Sequence, residues 1–352
     1  MRSLSLCVFL LAMMLLSACA PTQQVMRYGE SEQSRVWPEA PETPRYRFVG
    51  ELTGEENFEA KEKNSAANQM RDFFNAIVGL GKGSGFRNIL QRPQSGTVDA
   101  AGRVLVTDAS RLAVFVFDEK AGKLFVWDQA SPVANFASPV GIAIAANGDV
   151  LVADSELGAV FRLSSEGKPL AVIGQEDLAR PTGLAIDTVS GKIYVADTAE
   201  HNVKVFADDG RLIDIIGRQG TAGATFNAPT HLSFRDGKLY VTDTFNARVQ
   251  VLDGNGTFIR ALGERGLYVG NLVRPKGVAV DSDGNIYVIE SFHDYLLVYD
   301  AKGQFLLPIG GTGSGIGQFY LPAGVWSDSR DRIYIADMFN GRVVVLQYLP
   351  EA

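Results

Sequence analysis

The residues that could hold a ligand or move a proton are few, and they interrupt a repeated pattern. Histidine occurs only three times in the 352 residues. Imidazole, ammonium and carboxylate groups bind ions, hydrogen-bond polar ligands and transfer protons. One site does not need six copies, so we expect function where the pattern breaks, although a satisfied structural role is the alternative for each such residue. The ligand-binding candidates are Gln94, Thr182, His231, Lys276, Glu290 and His293.

The pattern itself consists of six segments that each open with a proline and later carry an acidic residue. Successive prolines are 42 to 48 residues apart: Pro93, Pro139, Pro181, Pro229, Pro275 and Pro322. The acidic residue that marks every copy is most simply a turn former, which accepts hydrogen bonds from backbone N–H groups of the next loop. These residues are Asp108, Asp154, Asp197, Asp243, Glu290 and Asp337.

Each segment reads as four short strands. In the copy that starts at Arg180, the apolar runs are 183–187, 192–197, 202–206 and 212–216, with Gly, Asp and Asn between them. Six four-stranded units of this period predict an all-β, six-bladed propeller. We place the propeller at residues 45–352, with blades that start near residues 92, 138, 180, 228, 274 and 321.

The motifs of these segments resemble the NHL repeat. Pro181 and Gly183, the run Tyr194–Thr198 and the run Asn202–Phe206 carry the resemblance best. The likeness covers about three-quarters of the chain and implies the propeller architecture. It implies little about activity, because propellers of this kind host unrelated functions.

Two families of propeller enzymes offer a test of catalysis. Resemblance to gluconolactonase-type hydrolases would place an Asn after an opening proline, and no opening proline here is followed by Asn. Resemblance to amidating lyases would require histidines of several blades to meet at one zinc ion. A zinc site of three histidines needs their nitrogens about 2 Å from one point, and His201 and His293 lie in loops away from the axis. We therefore predict no catalytic residue, no metal and no cofactor, and a metal-dependent enzyme remains the alternative.

The N-terminal part of the chain is predicted to lie outside the propeller. Residues 1–18 combine Arg2 with an unbroken apolar run, as in a signal peptide. The segment Leu16–Cys19 resembles a bacterial lipobox, which implies lipidation of Cys19, and Ala20 favours the outer membrane by the same analogy. An ordinary secretory signal is the alternative. Residues 19–44 are polar and rich in proline, which predicts a flexible tether.

Two further elements are predicted between the tether and the first blade. The last copy lacks a fourth strand, and residues 45–54 contain RYRFVG, which is similar to the fourth strands of other blades. We expect this segment to close the ring, with an independent extended segment as the alternative. Residues 59–80 show the i, i+3, i+4 spacing of an amphipathic helix, which would pack as a lid on the propeller or, alternatively, dock a partner or gate the channel.

Charge and cysteine content limit the possible partners. The formal net charge is −7 and no basic stripe is present, so nucleic acid is not expected as a ligand. Cys7 and Cys19 are the only cysteines, so no disulfide or cysteine metal site forms once the leader is removed and Cys19 is acylated.

Together these patterns predict a bacterial cell-envelope protein that is lipid-anchored to the membrane and binds a protein partner. The binding or scaffold function would lie at the mouth of the central channel and in the adjacent loops, which would hold a protein segment or a small ligand. The alternative function is that of a metal-dependent propeller enzyme.

Overall fold

The computed structural model describes residues 24–28, 35–60 and 88–350, and within them the chain forms a ring of six β-sheets. Blades 1 to 5 each consist of four strands that are neighbours in the ring's chain order, and blade 6 combines three such strands with strands from the N-terminal part of the chain. In blades 1 to 5 every strand pairs antiparallel with the next one in sequence. This arrangement confirms the predicted six-bladed propeller.

The strands before the ring and in the first three blades have the following bounds. The N-terminal strands are β1 (Gln24–Met26), β2 (Val36–Trp37), β3 (Tyr46–Leu52) and β4 (Phe58–Ala60), with a 3₁₀ turn at Glu55–Asn57. Blade 1 contains β5 (Pro93–Val98), β6 (Val104–Asp108), β7 (Ala113–Asp118) and β8 (Lys123–Trp127), followed by the hairpin β9 (Gln129–Ser131) and β10 (Ala134–Asn135). Blade 2 contains β11 (Pro139–Ile144), β12 (Val150–Asp154), β13 (Ala159–Leu163) and β14 (Pro169–Ile173). Blade 3 contains β15 (Pro181–Asp187), β16 (Lys192–Asp197), β17 (Asn202–Phe206) and β18 (Leu212–Ile216).

The remaining three blades follow the same order. Blade 4 contains β19 (Pro229–Arg235), β20 (Lys238–Asp243), a 3₁₀ turn (Thr244–Asn246), β21 (Arg248–Asp253) and β22 (Phe258–Leu262). Blade 5 contains β23 (Pro275–Val280), β24 (Ile286–Glu290), β25 (Tyr295–Tyr299) and β26 (Phe305–Gly310). Blade 6 contains β27 (Val325–Ser327), β28 (Arg332–Asp337), a 3₁₀ turn (Met338–Asn340) and β29 (Arg342–Tyr348).

Blade 6 takes its fourth strand from the N-terminal part of the chain. Strand β3 pairs antiparallel with β29, from Leu52 opposite Val343 to Tyr46 opposite Tyr348. Strand β2 then pairs with β3, so this sheet has five strands. The pairing covers the edge that a three-stranded blade would expose.

The apolar core is divided into six clusters, one between each pair of neighbouring blades. The middle strands are buried on both faces, which explains their continuous Val, Ile and Tyr composition. The outer strands are more exposed, as in β18, where three of five residues are exposed. The described residues that line the channel belong to the first strands of the blades.

The prediction of a flexible tether over residues 19–44 is wrong for the parts that the structure describes. Strand β1 pairs with β4, and the side chain of Met26 is buried. Trp37 is also buried, with the guanidinium of Arg35 5.3 Å from its ring centroid. The overall composition of this segment is polar, so it did not indicate that these two side chains are buried.

The other N-terminal predictions are tested only in part. Residues 58–60 form a strand, so the predicted helix over 59–80 does not begin at Glu59. The rest of that helix, the signal peptide at 1–18 and Cys19 lie outside the described residues. No helix among the described residues has the length and apolar character needed to span a bilayer.

Candidate functional site at the channel mouth

The acidic residue of each blade has a structural role, because its carboxylate accepts hydrogen bonds from backbone N–H groups. Asp108, for example, is fully buried and accepts hydrogen bonds from the N–H groups of Gln91 and Arg92 before the opening proline and of Ser110 and Arg111 after its own strand. Glu290 is buried in the same way and accepts from Val273, Arg274 and Phe292. The predicted turn-forming role is confirmed for these residues, and Glu290 is therefore not available to a ligand.

A β-bulge sets the side chains at one end of the channel, which we call the mouth. In blades 2 to 5 the register of the first strand shifts between the opening proline and the residue three places later. A bulge releases residues from the ladder and redirects their side chains. The residues released in this way include Thr182, Thr230, His231 and Lys276. The turns that follow the second strands lie at the same end, because each opening proline pairs with the acidic residue before that turn; we call this end of the ring the top face.

Lys276 is a charged residue that the bulge of blade 5 places at the mouth. Its side chain is half-buried, and no ion pair or hydrogen bond is found for it within the described part of the chain. Burial lowers the pKa of the Lys276 ammonium, and the positive charges of Arg274 and Arg92 lower it further. Both arginines are exposed at the residue before an opening proline. We call Arg92, Arg274 and Lys276 the cationic rim.

His231 stands beside the cationic rim with a defined tautomer. Thr244 Oγ1 donates to the carbonyl of Pro275 at 3.0 Å, and Thr230 Oγ1 lies 2.7 Å from Thr244 Oγ1. A hydroxyl has one proton, so Thr230 donates to Thr244 and accepts from His231 Nδ1 at 3.1 Å. The ring proton is therefore on Nδ1, and Nε2 is a bare acceptor, buried and without a partner among the described residues.

His231 is a weak base in this position. Burial lowers its pKa to about 3, and the charge of Lys276 contributes to the shift. The ring is half-buried as a whole, but its Nε2 atom is shielded from water. The imidazole is consequently neutral at physiological pH, and the mouth carries a positive charge beside a hydrogen-bond acceptor.

The other predicted candidates are distributed around the top face. Gln94 donates to the carbonyl of Arg92 at 3.2 Å and contacts Met338 Sδ, so it lies at the rim. Thr182 is bonded to Thr198 Oγ1 at 2.7 Å, and Thr198 donates to Pro229, which joins blades 3 and 4. His293 contacts Phe292 edge-on, with ring centroids 4.9 Å apart. Thus His231 and Lys276 interact at the mouth, Gln94 lies beside Arg92, and Thr182 belongs to a hydrogen-bond chain between blades 3 and 4.

The three histidines are not brought together. His201 has a left-handed backbone, with φ of 56°, and its Nδ1 accepts from the N–H of Ala228 at 2.9 Å. Asp294 occupies the equivalent position in blade 5, and its carboxylate accepts a hydrogen bond from the backbone N–H of Leu321 at 2.7 Å. His201 therefore fixes the start of the next blade. Within residues 24–28, 35–60 and 88–350, no three His, Cys, Asp or Glu side chains are placed to hold a metal ion.

Three phenylalanines on the top face escaped the sequence analysis. Phe245, Phe292 and Phe339 lie 47 residues apart, each two positions after the acidic residue of blades 4, 5 and 6, and 59%, 55% and 51% of their surfaces are exposed. The equivalent residues of blades 1 to 3 are Ser110, Glu156 and Ala199. Their equal spacing was the available signal. We call the three phenylalanines the aromatic crescent.

Two cavities among the described residues lie away from these groups. The channel beyond the mouth encloses about 320 Å³ between the second halves of the inner strands, including Trp326 and Arg235. The Trp326 ring stacks on Tyr334 and contacts Gly96, so it fills the gap between blades 6 and 1. A larger cleft of about 570 Å³ lies between turns on the opposite face and is open to solvent. The cationic rim and the aromatic crescent are not part of the lining of either cavity.

Comparison with known proteins supports the architecture. A family model described as a 6-bladed beta-propeller matches residues 221–306 and 270–348, and the NHL repeat model matches residues 178–206. No curated protein matches the sequence at a significant level. The resemblance to the NHL repeat is thus confirmed.

Solved structures resemble the chain in fold alone. A catalytically inactive virginiamycin B lyase from Staphylococcus aureus with quinupristin is 12% identical, with a TM-score of 0.54, and the match covers 90% of this chain and 99% of the lyase. A gluconolactonase from Xanthomonas campestris is 18% identical, with a TM-score of 0.57 and coverage of 74% and 88%. An auxiliary nutrient binding protein from Bacteroides ovatus is 14% identical, with a TM-score of 0.57 and coverage of 75% and 70%. Enzymes and binding proteins therefore share this architecture.

Proposed function

Because the chain is a six-bladed β-propeller with an NHL repeat, we propose that it is a binding module whose channel mouth holds an anionic group of its ligand. The observation that carries this proposal is Lys276, a half-buried ammonium that faces Arg92 and Arg274 and has no carboxylate partner among the described residues. The ligand would be a protein segment or a small anion, recognised at the mouth and by the adjacent loops on the top face.

The electrostatics of the mouth favour a bound anion. Partial burial disfavours the charged form of Lys276, and the positive charges of Arg274 and Arg92 disfavour it further. A carboxylate or similar anion would remove both penalties, because it supplies the missing opposite charge. A concave site lined by one sign of charge also raises the local concentration of oppositely charged ligands. The chain as a whole is acidic, with a formal net charge of −7, so the positive charge of the rim is a local feature.

A propeller enzyme is the second candidate, and the bare Nε2 of His231 is the observation that favours it. An imidazole of this tautomer beside an ammonium has the form of a general base next to an electrophilic group. A general base is most effective when its pKa lies near the working pH, and the pKa of His231 is about 3. Binding is therefore the better supported function.

Metal analysis separates these two functions. If the protein is a binding module, protein purified without chelators should contain no stoichiometric zinc or calcium. A bound metal at one equivalent, lost on substitution of His231, would favour the enzyme instead.

The same proposal includes the cell envelope as the place of action. The lipobox-like segment Leu16–Cys19 supports cleavage before Cys19, lipidation of that residue and attachment to a membrane, with the outer membrane favoured by Ala20. Growth with an alkyne-bearing palmitate, followed by dye coupling, should label the wild-type protein and not the Cys19→Ser variant. Equal labelling of the two proteins, or none of either, would contradict the anchor.

Titration with a small dicarboxylate tests binding at the mouth. We expect succinate to bind the wild-type protein in calorimetry, and to bind less tightly as salt is added, because exposed charges are screened. The Lys276→Thr variant should lose this binding and remain folded, since Thr182 and Thr230 occupy the equivalent positions of blades 3 and 4. Unchanged binding by this variant, or no anion binding by the wild type, would refute the proposal.

A further inference from the structure

The aromatic crescent is a surface that the fold does not require. Other blades carry Ser110, Glu156 and Ala199 at the same position of the turn, so Phe is not needed to form the turn. Each of the three phenylalanines still exposes more than half of its surface. Tyr320, 47% exposed, contacts Phe339 with ring centroids 5.6 Å apart and extends the apolar area. Large apolar side chains exposed on successive turns of one face are candidates for an interaction site.

The crescent and the cationic rim are adjacent. The guanidinium carbon of Arg92 lies 5.7 Å from the ring centroid of Phe339, which is the geometry of a cation–π contact. The carboxylate of Glu290 accepts a hydrogen bond from the backbone N–H of Phe292. It also accepts hydrogen bonds from the backbone N–H groups of Val273 and Arg274. The blade 5 turn is thus fixed directly to the segment that carries Arg274. A ligand that covers the crescent therefore also meets the positive charges of the mouth.

From this arrangement we propose that the partner is an extended, acidic segment of another protein, which places carboxylates against the cationic rim and apolar side chains over the aromatic crescent. This proposal rests on the proposed function, because it assigns the anion at the mouth to a protein segment. It commits to a macromolecule, since three exposed rings on three successive blades offer more apolar surface than a small acid can cover. Aromatic and arginine side chains are also the residues that dominate binding energy at protein interfaces.

Single-stranded nucleic acid is the other macromolecule that combines negative charge with flat apolar groups. Binding of this kind needs a groove of positive charge that follows the phosphate backbone. On this face the turns of blades 2 and 3 carry the exposed residues Glu156 and Glu200, which would repel phosphates. An acidic peptide can direct its carboxylates to the rim alone, and so the charge distribution favours a protein.

Selection of peptides on the immobilised protein tests the proposal before any natural partner is identified. A display library of random twelve-residue peptides would be enriched on the full chain, and the enriched peptides would be synthesised and their affinities measured. We expect them to combine Asp or Glu with Phe, Tyr, Leu or Ile. Enrichment of basic or purely polar peptides, or no enrichment over a blank surface, would overturn the proposal.

Variants then assign the binding to the two surfaces. The triple variant Phe245→Ser, Phe292→Ser and Phe339→Ser should weaken binding of the selected peptides by about tenfold or more, as loss of central aromatic contacts does. The double variant Phe245→Ser and Phe292→Ser, which keeps the contact between Phe339 and Arg92, should leave succinate binding unchanged. Lys276→Thr should weaken the binding of both succinate and the selected peptides. The control is Leu267→Ser with Tyr268→Ser, two residues that are 74% and 84% exposed outside the crescent, and it should bind as the wild type does.

The outcomes distinguish this proposal from the function on which it rests. Succinate binding that depends on Lys276, together with peptides that bind the triple variant as tightly as the wild type, would leave the proposed function standing and refute the acidic segment. If the wild-type protein does not bind succinate, both the proposed function and the acidic-segment proposal are refuted. A fluorescent single-stranded RNA that competes with the selected peptides and loses affinity in the triple variant would replace the protein partner with nucleic acid.

Discussion

Arg342 Nη1 lies 2.6 Å from Glu51 Oε1, and this ion pair joins the third strand of blade 6 to the strand that the N-terminal part of the chain adds to it. The same guanidinium donates from Nε to Asp337 at 2.8 Å and from Nη2 to the carbonyl of Gln318 at 2.9 Å. One side chain therefore connects the closing strand, the acidic residue of blade 6 and the loop before that blade.

The first prediction separates the two carboxylates that Arg342 contacts. Asp337 is fully buried, so Arg342→Ala should cost about 3–5 kcal/mol in the free energy of unfolding, because it leaves an unpaired buried charge. Glu51 is partly exposed, and Glu51→Gln should cost less than about 1 kcal/mol. Urea unfolding at pH 7.5 measures both values. Equal costs for the two variants would show that closure by Glu51, and not burial of Asp337, sets the energy.

The pH dependence of Arg342→Ala supplies a second prediction. Burial raises the pKa of Asp337 above its ordinary value of 3.8, although hydrogen bonds from Tyr320, Asn340 and Arg342 oppose the shift. An acid with a raised pKa in the folded state stabilises the fold below its unfolded pKa, and this contribution is lost as the pH rises through the folded pKa. Removal of Arg342 should therefore destabilise the protein less at pH 4.5 than at pH 7.5. A deficit that is independent of pH would contradict this assignment.

Closure of the ring by β3 leads to a third prediction. Leu52 is fully buried in the cluster between blades 6 and 1, whereas Arg47 on the same strand points to solvent. Leu52→Ala should lower the free energy of unfolding by about 2–5 kcal/mol, and Arg47→Ala should change it by about 0.5 kcal/mol or less. If both variants unfold at the wild-type urea concentration, the strand contributes nothing to the stability of the ring.

The sequence was sufficient for features that repeat and insufficient for features that occur once. Six prolines and six acidic residues at regular intervals predicted the blades and the turn-forming carboxylates, because each copy reports the same local geometry. The tether was misjudged since β1 and β2 have three and two residues, too few to show periodicity. Their stability comes from the buried Met26 and Trp37, which is a property of the assembled ring.

The candidate site shows the same limit. Lys276 and His231 were found as departures from the repeat, but the proton on His231 Nδ1 follows from a hydrogen-bond chain through Thr230 and Thr244 to Pro275. These hydrogen bonds connect blade 4 to blade 5, and the spacing of residues in the sequence does not indicate them. The aromatic crescent did have a signal in the sequence, the interval of 47 residues between its phenylalanines. It was overlooked because an exposed phenylalanine in a turn cannot be distinguished by residue type from the many apolar residues of the strands.

Alkaline pH provides a fourth prediction. Burial raises the pKa of Tyr194 to about 12, and its hydroxyl donates to the carbonyl of Gly254 at 2.8 Å. A raised pKa means that its contribution to stability is complete below about pH 10, the unfolded value, and is lost as the pH rises through about 12. The wild type should therefore lose stability above pH 10 more steeply than Tyr194→Phe. The exposed Tyr268→Phe is the control and should follow the wild type; identical slopes for all three would contradict the prediction.

The last prediction compares one position in two adjacent blades. Gly183 packs so closely on blade 4 that a Cβ atom would lie 2.7 Å from the carbonyl oxygen of Thr230 and 2.8 Å from the Cα atom of His231. Backbone atoms cannot move aside cheaply, so Gly183→Ala should cost about 1–3 kcal/mol. His231 occupies the same position of blade 4, where four of the other blades have glycine, and His231→Gly should cost about 1 kcal/mol or less, mainly through the flexibility of glycine. Urea unfolding of both variants decides the matter: a larger loss for His231→Gly would mean that this imidazole is held in the mouth for stability, and the departure from the repeat would then no longer point to function.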